Sequence, residues 1–226
     1  DEYWSADQRA NVEAARDAGV NLAFLSGNEV YWETRWETSI DGTNTPHRTL
    51  VCYKETQAGA VIDPAAPVWT GTWRDPRFSP PADAARPENL LTATLNMVNG
   101  PSQNLSIQVP AAEGRMRFWR NTSVATLPAG QTAILPAGTL GFEWDADIDN
   151  GFRPAGLVPL ALGSHALTDR FLLDYGVSYG AGTAVHRMGL YRAPSGALVF
   201  GAGTVQWSWG LDADHTNGGS APDVRM

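Results

Sequence analysis

A helix, a glycine and a short apolar run near the start constrain this chain more than any other feature. Ser5 stands where an N-cap belongs, and Gln8 three residues later completes a capping-box pattern. Val12, Ala15 and Ala18 repeat at three-residue spacing, which predicts a helix over residues 5–18 with one apolar stripe. Gly19 follows at C′, where a left-handed residue ends a helix at little cost. Residues 20–25 then read as a buried strand, adjoining 197–209 or a neighbour in one sheet. Helix, glycine and strand are half of a βαβ unit, whose first strand is expected just before Asp1. Tyr3 and Trp4 stand at the start with no preceding element, so both ends are expected to be cut from a longer chain.

Ser26-Gly27-Asn28 is a sharp turn at the carboxyl end of that strand, the edge where ligands gather in open α/β sheets. Residues 37–40 and 48–53 bracket Asp41-Gly42-Thr43-Asn44 as a hairpin. Residues 58–89 are rich in Pro and Ala, and short runs at 105–109, 116–119 and 132–135 follow, so 58–140 reads as a loop-rich β insertion. Residues 141–153 read as a polar, acidic loop. Strands are expected at 170–177 and 184–192, then a turn at Ala193-Pro194-Ser195-Gly196, then one long strand over 197–209. Gly201 and Gly203 weaken that last strand and mark a bulge. The tail from Ala213 is polar and Gly-rich.

The net charge of −8 argues against a nucleic-acid partner, because an acidic surface repels phosphate backbones. It disfavours anionic membrane surfaces for the same reason. Cys52 is the sole cysteine, which rules out an intramolecular disulfide and leaves the compartment open.

A Walker loop, His-Glu-x-x-His and Cys-x-x-Cys, all common catalytic signatures, are missing. His47, His165, His186 and His215 lie far apart and in no ligand spacing. Asp145, Asp147 and Asp149 alternate like the start of a calcium loop, but Gly156 stands where a bidentate acid belongs. That rejects an EF-hand and leaves an irregular cation site or a solvated acidic loop. Nine tryptophans are available either for core packing or for stacking on sugars.

Five segments in order carry a resemblance: Asp-Glu-Tyr-Trp-Ser (1–5), Ser-Gly-Asn-Glu-Val-Tyr-Trp (26–32), Thr-Gly-Thr-Trp-Arg-Asp-Pro-Arg-Phe (70–78), Gly-Phe-Glu-Trp-Asp (141–145) and Gly-Thr-Val-Gln-Trp-Ser-Trp-Gly-Leu (203–211). The chain resembles the C-terminal domain of the N,N-dimethylformamidase large-subunit family across its whole length, 1–226. The resemblance implies an α/β fold, a glutamine-amidotransferase-like (Rossmann-like) core with β insertions and more chain on both sides. It also implies iron held by two Tyr and one Glu, which map to Tyr3, Tyr31 and Glu143. Phenolate and carboxylate are hard donors that suit ferric iron. Two departures stand out. The family's second aromatic and Pro around the first Tyr are missing, and Gly141 stands where the family has a His two residues before the Glu.

The first functional expectation is a metal-dependent hydrolase that acts on a small amide, with Glu29, beside Tyr31, as the base. Its partners would be a small-molecule substrate and the flanking domains of the parent chain. The alternative is a non-catalytic module of a secreted multidomain protein that binds glycans through its Trp-rich loops.

Overall fold

The computed structural model describes residues 1–65, 67–77, 86–100, 105–212 and 214. Phe78, His215 and nearly all of the Gly-rich tail lie outside the described residues.

The start of the chain folds as its local signals predict. Helix α1 spans Ala6–Asp17, and the Ser5 side chain accepts from the Gln8 amide at 3.2 Å. Gly19 closes it at φ +94°, donating to Arg16 O. Its buried residue is Arg9, however, while Val12 and Ala15 are half-buried and Ala18 is exposed. The Arg9 guanidinium stacks on Trp73 at 4.7 Å and bonds Glu13 and the Arg86 carbonyl. A charged side chain with a flat apolar face thus replaces the expected alanine stripe.

The strands flanking α1 overturn the expected glutamine-amidotransferase-like, Rossmann-like α/β core. The fold is mostly β, with 34% strand against 18% helix in several sheets. A Rossmann-like core needs successive parallel strands in one sheet with helices on both faces. Here β1 (Tyr3–Ser5) and β2 (Leu22–Phe24), on either side of α1, enter different sheets. Strand β1 pairs in parallel with β3 (Trp32–Glu37), which pairs antiparallel with β4 (Thr49–Val51) across the expected hairpin. Strand β2 pairs in parallel with β11 (Leu198–Gly201), as the expected 20–25/197–209 adjacency requires. The rest of that sheet is antiparallel, and the other three α-helices among the described residues have four residues each, too short to cover a face.

The six-stranded sheet also contains β5 (Leu95–Asn99), β8 (Glu143–Ala146), β9 (Val158–Leu172) and β10 (Tyr179–Arg192). The ring β10–β8–β5–β9 closes on itself because β9 also pairs with β10. Strand β5 comes from the segment read as an insertion, yet it lies inside this ring. Strands β6 (Gln108–Pro110) and β7 (Thr132–Ile134) form a separate ribbon, while Arg117–Trp119 is a 3-10 turn. The acidic stretch from Glu143 begins as a strand, not a loop.

The long strand expected over 197–209 ends at Gly201. Beyond it, the Ala202 and Gly203 amides donate to Phe24 O and Ser26 O. Gly203 adopts φ +68°, and a Cβ there would meet the Arg187 carbonyl at 2.8 Å. The chain therefore swings under the turn that follows β2 and ends in a 3-10 turn at Trp207–Gly210. One core cluster, with Ile107, Trp119, Trp144, Leu160 and Met188, fills the closed ring. A second, with Trp4, Phe24, Trp73, Tyr191 and Val199, joins α1 to the sheet.

Candidate functional site

The turn between β2 and β3 is strained. Asn28 and Val30 both have positive φ, +50° and +58°. A β-branched residue in the left-handed region is rare, and such strain persists only where the surroundings impose it. The constraints come from three sides. Gly27 packs on Thr204 so closely that an added Cβ would lie 2.8 Å from its Cα. The Val30 and Tyr31 amides donate to Asp1 O and Glu2 O. Asn28 is held by β8, its amide donating to Asp145 Oδ1 at 2.9 Å and its Nδ2 to Glu143 Oε2 at 3.1 Å. Gly27→Ala should therefore cost about 1–3 kcal/mol by overpacking. Urea unfolding of that variant against the parent protein checks this.

The turn delivers Tyr31 into the protein. Its ring lies 4.9 Å from the Arg74 guanidinium and edge-on to Trp32 at 5.2 Å. Its hydroxyl reaches the backbone at Gly176, where a Cβ would approach within 2.7 Å. The residue is 4% exposed, and its Oη has no hydrogen-bond partner. Tyr179 is a close polar neighbour, but the two hydroxyls do not reach hydrogen-bond geometry. Burial raises the Tyr31 pKa, and Arg74 opposes that rise.

The other expected site residues surround this turn. Tyr3, on β1, lies beside Lys54 and Glu2, and burial raises its pKa while Lys54 opposes. Lys54 reaches back across the Tyr3 and Trp32 rings, 5.3 and 4.8 Å from their centroids. Glu143, on β8, bonds Asn28, and neither phenol bonds it. Glu2 and Tyr179 link the three: Glu143 repels Glu2, which flanks Tyr3, and Tyr179, which flanks Tyr31. Burial and that repulsion raise the Glu2 pKa, though Glu2 Oε1 accepts from Trp32 Nε1 at 2.8 Å. Glu29 is nearly enclosed and acts electrostatically on Asp145.

Two further residues, given no role here by the sequence reading, also join the site. Asp145 is buried and accepts from Asn28 and Thr94; burial pushes its pKa up to about 6. Gln206 is also buried, with neither end of its amide partnered. Its side chain fills the space before Gly141, where a Cβ would meet Gln206 Oε1 at 2.3 Å. Glycine at 141, an oddity in the sequence, is thus what lets Gln206 enter.

The alternative sites fare poorly. Asp147 pairs with Arg153 and Arg187, so the alternating aspartates do not converge on a cation. Among the described residues, no three His, Cys, Asp or Glu gather as metal ligands, a class that leaves out phenols. Trp4, Trp32, Trp69, Trp73, Trp119 and Trp144 are buried and unavailable for stacking on sugars. Among the described residues no helix is long and apolar enough to cross a membrane.

In this mostly β fold a strained turn thus buries a phenol among charged side chains. The profile of the N,N-dimethylformamidase beta subunit-like, C-terminal family matches residues 1–219, and the chain belongs to that family. No curated protein matches it.

Proposed function

We propose that the chain is a metal-dependent hydrolase domain acting on a linear amide C–N bond, with iron held by Tyr3, Tyr31 and Glu143. The observation that carries this reading is the buried, partnerless Tyr31 Oη. A buried hydroxyl without a hydrogen bond costs about 1–3 kcal/mol, so its retention argues for a partner supplied from outside the chain. The donor set fits a hard cation. Lys54 and Arg74 stand beside the two phenols and favour the phenolate form that binds metal. Glu143 adds a carboxylate held in place by Asn28. Bound there, ferric iron would polarise an amide carbonyl and acidify a water. Glu29 takes a proton from the attacking water and passes it to the departing nitrogen. The unpartnered Gln206 amide, beside the strand that carries Glu143, orients the substrate.

Iron titration of the purified protein tests this reading, because phenolate-to-iron charge transfer colours such a site. Tyr31→Phe should lose the visible band and bind iron at least tenfold more weakly. Its stability should hold within about 1 kcal/mol or rise, since the hydroxyl removed has no partner. Equal iron binding by Tyr31→Phe and the parent protein would sink the assignment.

A further inference from the structure

Arg74 also lines a cavity of about 330 Å³ that does not include Tyr31, and nothing in the proposed chemistry uses it. Leu95, Met97, Ile148, Phe152, Leu172 and Leu173 make its described walls mainly apolar. Its polar groups are nearly all engaged. Asn150 exchanges hydrogen bonds with Asn89, and Asp174 accepts from the Gly176, Val177 and Ser178 amides. Arg74 is the exception. Its Nε and Nη2 bind Glu88, but Nη1 meets only the Met97 sulfur, at 3.6 Å. A thioether is a weak acceptor, and Nη1 carries two hydrogens. Arg74 and Met97 both line the cavity, and the Arg74 side chain is only 5% exposed. A strong, nearly unused donor therefore faces an apolar chamber.

We propose that this cavity binds a small, neutral, largely apolar molecule through one carbonyl oxygen that accepts a hydrogen bond from Arg74 Nη1. Neutrality follows from charge. Glu88 already balances Arg74, so a carboxylate ligand would bring an uncompensated charge into an apolar space. Size follows from volume, since 330 Å³ is at the small end of organic-ligand pockets. The inference goes beyond the proposed hydrolase and does not depend on metal at Tyr31.

Three probes of matched size separate the terms: acetophenone with a carbonyl, ethylbenzene without one, and benzoate with a charge. None contains a hydrolysable amide, so binding is read apart from catalysis. Each is titrated into protein with 13C-labelled methionine methyl groups, and the Met97 signal is followed. Acetophenone should shift Met97 saturably and bind at least tenfold more tightly than ethylbenzene or benzoate. The variant carries Arg74→Met and Glu88→Leu together, because losing either charge alone strands its partner. In it, acetophenone should fall to the affinity of ethylbenzene, while ethylbenzene stays unchanged. Phe152→Ala, in a half-buried loop residue, should weaken both neutral probes. An unmoved Met97 signal at millimolar acetophenone would overturn the proposal. So would equal affinity for acetophenone and ethylbenzene, or preferential binding of benzoate.

Discussion

Replacing Arg74 with Met should destabilise the fold by about 3–5 kcal/mol, because it leaves the Glu88 carboxylate buried without its counter-charge. Glu88 is 1% exposed, and its two oxygens take three hydrogen bonds from one guanidinium. Burial alone would lower the Arg74 pKa, yet Glu88, with Tyr31 and Asp145, more than offsets this and the net direction is upward. Arg74 thus stays charged beside Glu88. Removing both should behave quite differently. Arg74→Met with Glu88→Leu puts apolar groups of similar length in the same space, and buried pairs so replaced are often neutral or stabilising. The double variant should return to within about 1–2 kcal/mol of the parent protein, which makes the coupling larger than the net contribution of the pair. Urea unfolding of the two single variants and the double completes the cycle. Additive losses would show that each side chain acts through its own packing and not through the other's charge. Because Arg74 also lies over the Tyr31 ring, the double variant should bind iron more weakly even where its stability recovers.

How far the sequence reveals this fold depends on the range of each interaction. The Ser5 cap, the Gly19 stop, the hairpin after β3 and the turn after β10 are set within a few residues, and each appears where its turn chemistry places it. The sheet partners are not set locally. Strands β1 and β2 flank one helix, as in a βαβ unit, but their partners are β3 and the distant β11. Nothing in three-residue strands encodes that choice. It follows from the strained turn, which sends the chain back beside β1, and from the closed ring, which offers β11 as an edge. The burial of Arg9 is equally nonlocal, since it requires Trp73 beneath it and the Arg86 carbonyl beside it.

The same distinction holds at the candidate site. Tyr3 and Tyr31 stand out through family motifs, and the sharpness of the turn at Gly27 is visible in the sequence. The clamp that holds the turn is not, because Asn28 meets Glu143 and Asp145 across more than a hundred residues. Alternating aspartates after Glu143 read as a loop able to gather a cation. The strand instead divides them, with Asp145 buried against Asn28 and Asp147 turned to two arginines. Gly141 reads as a missing His, and only the fold shows Gln206 in the vacated space.

Acid should leave the stability of the parent protein nearly level between pH 6 and pH 4, because two buried groups oppose each other there. His186 is fully buried, with Nε2 bonded to the Ala202 carbonyl at 3.2 Å and Nδ1 unpartnered. Burial, with a smaller contribution from His165, lowers its pKa to about 4 from an ordinary 6.5. The unfolded chain therefore takes up a proton before the folded one, and stability falls as pH drops through that window. The full loss is on the order of 3 kcal/mol. Asp145 has the opposite sign. Burial raises its pKa from 3.8 to about 6, so the folded state protonates first and stability rises on acidification. That gain is also on the order of 3 kcal/mol, over nearly the same range. Asp63 and Asp174, whose pKa values are depressed, lose their contributions mainly below pH 4, outside the window. Asp145→Asn keeps an acceptor for the Asn28 amide and removes the titration. It should therefore gain stability at pH 7 and expose the full loss due to His186 between pH 6.5 and pH 4. His186→Phe should reverse the slope, leaving a protein that is steadier at pH 4 than at pH 7. Urea unfolding at pH 7, 5.5 and 4 distinguishes the three. A steep acid loss in the parent protein, unchanged in Asp145→Asn, would mean that Asp145 is already protonated at neutral pH or does not titrate with folding.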